Sequence, residues 1–72
     1  MTNALDDLIK DDDAAWIEIS FDDRLVVGVA TVNKDGDEIA FYEEGDLPDA
    51  VRDAAQQIVP SPNGGAARYE KP

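Results

Sequence analysis

Apolar positions in residues 3–10 fall at Leu5, Leu8 and Ile9, the i, i+3, i+4 spacing of an amphipathic helix. Thr2 or Asn3 can serve as its N-cap, and Asp6 and Asp7 place negative charge in the first turn, where the helix dipole favours it. Asp11-Asp12-Asp13 then sets three negative charges where a helix C-terminus favours cations, so the helix is expected to stop near Lys10. From Trp16 the period changes to two. Ile17, Ile19 and Phe21 alternate with Trp16, Glu18 and Ser20, the pattern of a half-buried strand. After the polar turn Asp22-Asp23-Arg24, residues 25–32 are apolar on both faces and rich in β-branched side chains, which suits a central strand. Asp35-Gly36, inside Asn33-Lys34-Asp35-Gly36-Asp37, tolerates positive φ and predicts a hairpin into a third strand over residues 39–42.

Glu43-Glu44-Gly45-Asp46 ends the sheet, and Asp46-Leu47-Pro48-Asp49 reads as a helix start with Asp46 as N-cap and Pro48 in the first turn. Leu47, Ala50, Val51, Ala54, Ala55, Ile58 and Val59 form one stripe of that helix, expected over residues 47–59. Pro60-Ser61-Pro62-Asn63-Gly64-Gly65 breaks it, leaving residues 60–72 as a flexible tail or, around Tyr69, a short C-terminal edge strand. The order α-β-β-β-α with short links predicts an α+β fold. It is a three-stranded antiparallel meander with both helices on one face, in a single domain of residues 1–72. Ile17, Ile19 and Phe21 are expected to meet Leu5, Leu8, Val51, Ala54 and Ile58, with Trp16 and Ser20 on the opposite face.

Composition then narrows the chemistry. The 72 residues contain no cysteine and no histidine, which removes disulfides, thiolate nucleophiles, imidazole bases and the usual zinc sites. The expectation is a protein that is not an enzyme and has no cofactor. Seventeen Asp and Glu against six Lys and Arg give a formal net charge of -11. Such a chain repels phosphate backbones and anionic lipid, so the expected partner is a basic protein or protein complex, not nucleic acid or a membrane. The first residues show neither a basic segment nor an apolar run long enough for a signal peptide or a membrane span, and a cytoplasmic location is the expectation.

Several motifs suggest chemistry and fail on inspection. Aligning Gly36 with the sixth position of a calcium loop puts Thr31 first, Asn33 third, Asp35 fifth and Tyr42 twelfth. Both end positions lack the required carboxylate, so the segment reads as a hairpin turn. Asp22 with Asp23, and Glu43 with Glu44, would need burial in a cleft to act as acid and base, and a domain this small offers little cleft. Gly64-Gly65 lacks the lysine and the strand-to-helix setting of a phosphate loop. Trp16, turned away from the buried alternation, is either a contact residue or covered by the C-terminal segment or the first helix.

In a meander the loops alternate between two ends of the sheet. Asp11, Asp12 and Asp13 share one end with Asp35 and Asp37, whereas Asp22 and Asp23 share the other with Glu43, Glu44 and Asp46. At about 3.3 Å per residue, the second strand separates these negative poles by roughly 26 Å. The partner-binding candidates are therefore these ten carboxylates together with Trp16. In size, acidity and lack of catalytic residues the chain resembles the small acidic phage-type anti-CRISPR and other DNA-mimic inhibitors. That resemblance implies an inhibitor whose carboxylates stand in for phosphates on the PAM-binding or other DNA-binding surface of a CRISPR effector or similar complex; a monomer or weak dimer is the expected state. Two other classes fit the same charge: a salt-adapted domain whose acidity serves solubility, and an antitoxin or accessory subunit that binds a basic protein.

Overall fold

The alternating pattern from Trp16 onward does form a sheet. The structure, a computed structural model, describes residues 3–58 and 65–70. Its elements are α1 (Ala4–Asp11), β1 (Trp16–Asp22), β2 (Leu25–Val32), β3 (Glu38–Glu43), a 3-10 turn (Glu44–Asp46), α2 (Asp49–Gln56) and β4 (Ala66–Glu70). β1, β2 and β3 make the expected antiparallel meander, and β4 pairs antiparallel with the free side of β1, giving the order β3-β2-β1-β4. The C-terminal segment therefore supplies an edge strand. The expected break over residues 60–64, Val59 of the helical stripe and the last two residues lie outside the described residues.

Helix α1 begins as its sequence predicts: the Asn3 side chain accepts a hydrogen bond from the Leu5 amide at 2.8 Å, satisfying one of the free first-turn donors. Its end is more specific than charge alone suggested. The Ala14 amide donates to the Ile9 carbonyl and the Asp13 amide to the Lys10 carbonyl, with Asp13 at φ 52°. That is the Schellman arrangement, with an aspartate in the left-handed position usually held by glycine.

The start of α2 departs from expectation. Proline disfavours helical geometry in the residue before it, and Leu47 is extended, at φ -79° and ψ 136°. Asp46 consequently belongs to the preceding 3-10 turn and is no N-cap; α2 starts at Asp49 with no side-chain cap. Leu47 is still buried, reaching the core from the linker.

One core results. Ile17, Ile19 and Phe21 of β1 and Val26 and Val29 of β2 bury against Leu5 and Ile9 of α1, Val51 and Ala55 of α2, and Leu47. Leu8, Ala54 and Ile58, expected at the centre, are only partly buried, because each helix is turned so that Ile9 and Ala55 point inward. Both helices lie on one face of the sheet, and the other face carries no helix. Among the described residues no helix is long and apolar enough to cross a membrane.

Candidate partner-binding surface

The strand directions place the carboxylate loops as the meander predicted. β1 starts and β2 ends beside the hairpin of Asp35 and Asp37, and the Ala15 amide donates to the Val32 carbonyl at 2.8 Å, tying the α1–β1 loop to that same end. Asp11, Asp13, Asp35 and Asp37 are exposed there. The hairpin is held open in a defined shape, since Asn33 Oδ1 accepts from the amides of Asp35 and Asp37, both at 2.9 Å. Gly36 adopts φ 88°, a conformation that glycine reaches without steric cost.

Asp12 is the exception in this group. It is half-buried, and its Oδ2 accepts from Thr31 Oγ1 at 2.9 Å and from the Tyr42 hydroxyl at 2.7 Å. Asp12, one of the expected partner-binding carboxylates, ties α1 to β2 and β3. Asp6, one helical face away, does the same for the other edge and accepts from the Tyr69 hydroxyl at 2.7 Å. The two tyrosines therefore fasten α1 to both edge strands. The hydrogen bond to Asp12, with desolvation and the negative charge of Asp12 and Asp11, raises the Tyr42 hydroxyl pKa above its ordinary value. The bond to Asp6 does the same for Tyr69.

At the opposite end, Asp22, Asp23, Glu43, Glu44 and Asp46 are all exposed. Asp23 and Arg24 both have positive φ, 50° and 71°, as a two-residue type I′ hairpin requires. Neither residue is glycine, and Gln56 of α2 compensates. Its Oε1 accepts from the Val26 amide at 3.1 Å, and its Nε2 donates to the Arg24 carbonyl. Gln56 lies off the apolar stripe of α2, and only the packing of α2 beside this turn shows its use. Arg52 offsets part of the pole, pairing with Glu44 at 3.3 Å and Asp49 at 2.9 Å. These are exposed pairs that stabilise the fold by about 1 kcal/mol or less each.

Trp16 faces away from the core as its alternation implies. It is half-buried, since the Arg68 guanidinium of β4 stacks on its ring at 3.9 Å from the centroid and its indole Nε1 donates to Glu18 at 3.0 Å. The C-terminal segment thus covers part of the ring. Among the described residues no group of three or more His, Cys, Asp or Glu is placed to hold a metal ion. Comparison with protein-family models, with curated proteins and with solved structures finds no match to this chain.

Proposed function

We propose that this protein is an acidic protein-binding inhibitor whose carboxylate poles occupy a basic surface built for nucleic acid, as in the anti-CRISPR and DNA-mimic proteins it resembles. The observation that carries this reading is the placement of exposed acids at both ends of one sheet. Asp11, Asp13, Asp35 and Asp37 stand at one end, and Asp22, Asp23, Glu43 and Asp46 at the other. Their backbones are held by the Schellman turn, the Asn33 bonds and the Gln56 clamp. Fixed charges lose little conformational entropy on binding and steer a cationic partner at long range. The protein acts by binding and not by catalysis, in the cytoplasm where such complexes work. Activity abolished by a single carboxylate change would overturn that reading.

A second reading has its own observation. Exposed acids also occur away from the poles, at Asp7 on α1, at Asp49 and Asp53 on α2, and at Glu18 and Glu70 on the helix-free face. Acids placed outside the poles as well suit a salt-adapted domain. Urea unfolding across salt concentrations separates the two: an inhibitor folds in dilute buffer, whereas a salt-adapted domain needs molar salt. Pull-down of basic effector complexes then tests the first reading, using variants neutralised to Asn or Gln at one pole or the other.

A further inference from the structure

The helix-free face of the sheet lies between the two carboxylate poles. By register, Glu18 of β1 pairs with Ala30 of β2 on one side and Arg68 of β4 on the other, and Ala30 pairs with Phe41 of β3. Trp16 and Val32 form the adjacent pair. Phe41 is 49% exposed, a large apolar residue left in solvent. Its ring lies flat on Gly28, where an added Cβ would stand 2.4 Å from ring carbon Cζ. The glycine is thus matched to a ring pressed onto the sheet, and the register makes a lane across the strands with an apolar half at Phe41 and Ala30 and a charged half at Glu18 and Arg68.

Carboxylates border that lane. Glu70 pairs with Trp16 and Glu38 with Val32 toward one end, whereas Glu43 pairs with Gly28 and Asp22 with Leu25 toward the other. The cation on this face, Arg68, is already bridged to Glu70. From this charge pattern we infer that the face docks a basic amphipathic helix of a partner protein, its apolar ridge on Phe41 and Ala30 and its lysines or arginines against the flanking carboxylates. Four strands about 4.8 Å apart make the lane roughly 14 Å long, which about ten helical residues cover. A second copy of this chain would set the same carboxylates against each other, and phosphates would meet them with like charge. The inference rests on reading the chain as a binder of basic protein, and adds to the poles a surface that can be tested apart from them.

The probe is a synthetic Leu/Lys helix of about 15 residues, titrated into isotope-labelled protein beside a peptide of equal composition with its leucines scrambled. The ordered peptide is expected to bind about tenfold more tightly, to shift the amides of Gly28, Ala30 and Phe41, and to change Trp16 fluorescence. Phe41→Ser should remove that preference. The pair Glu18→Lys with Glu70→Lys, neither of them a pole residue, should weaken binding about tenfold, and serves alone if Phe41→Ser does not fold. Equal binding of both peptides, shifts confined to the loops at the two ends, or peptide-independent shifts that grow with protein concentration would each overturn the inference. Failure of the pole reading looks different: variants neutralised at Asp11, Asp13, Asp35 and Asp37, or at Asp23 and Asp46, none of which borders the lane, would bind the basic effector as tightly as the parent while the preference for the ordered peptide persisted.

Discussion

Replacing Asp12 by alanine separates a structural carboxylate from its exposed neighbours. The change removes acceptors for Thr31 and Tyr42, and hydrogen bonds to a charged group contribute about 1.5–3 kcal/mol each when buried. Asp12 is only half-buried, which favours the low end, and the Tyr42 hydroxyl can turn to water. Thr31 cannot: it is fully buried and keeps only a long contact to the Ala40 carbonyl, 3.5 Å away. A loss of about 2–4 kcal/mol follows, against a total of about 4–11 kcal/mol for a chain of this length. Urea unfolding followed by circular dichroism should show it, and a thermal melt should show a fall in melting temperature of about 8–32 °C. Asp11→Ala is the control, since an exposed acid at a helix C-terminus opposes the dipole and its removal should be neutral or slightly stabilising. A double-mutant cycle with Tyr42→Phe should give a coupling of about 1 kcal/mol. If Asp12→Ala unfolds like Asp11→Ala, the tether is not part of the fold's stability.

Further outcomes follow from the same contacts. The folded state holds the Tyr42 and Tyr69 protons more tightly than the unfolded chain, their pKa values being raised above 10.0. Their contribution is therefore complete below pH 10 and lost as pH rises through the folded values. Absorbance titration should show late ionisation, and Tyr42→Phe with Tyr69→Phe should flatten the alkaline fall in stability. Asp13→Gly and Arg24→Gly should each stabilise the fold by up to about 1 kcal/mol, because both residues sit at positive φ and lose that strain as glycine; urea midpoints below the parent's would refute this. Val51→Asp places an unpaired charge among buried apolar side chains and should abolish the cooperative transition; a parental melt would mean that this stripe is not the core face.

Much of the fold was legible because local signals agreed with the tertiary structure. The alternation from Trp16, the apolar run of β2 and the turn at Gly36 each specify backbone conformation within a few residues, and so does the Asn3 cap. The start of α2 was misread where two local rules conflict: Asp46 suits an N-cap, but Pro48 forces Leu47 out of helical geometry, and the second effect is steric. The orientation of α1 and α2 by one position, which buries Ile9 and Ala55, depends on where each helix meets the sheet. The candidate site divides the same way. The topology of loops assigned the two poles, but nothing in Asp11-Asp12-Asp13 distinguishes Asp12 from its neighbours until Thr31 and Tyr42 are brought beneath it. Gln56 and Phe41 were missed for the same reason, since their partners Arg24, Val26 and Gly28 are distant in sequence. The signal that could have found Phe41 is Gly28, a glycine inside a strand rich in β-branched residues, which marks close approach by another group.

The central claim is that the carboxylate poles are a recognition surface, and displacement of duplex DNA from CRISPR effector complexes tests it most directly. Labelled DNA bound to each effector of a panel is titrated with the parent protein, and with a variant carrying Asn or Gln at Asp11, Asp13, Asp35 and Asp37 and at Asp22, Asp23, Glu43 and Asp46. The account predicts that the folded parent displaces DNA from at least one effector, that displacement fades as salt screens charges within about 8 Å, and that the neutralised variant, folded equally well, does not displace it. Equal displacement by parent and variant, or DNA left bound by the parent across the panel at low salt, would contradict it.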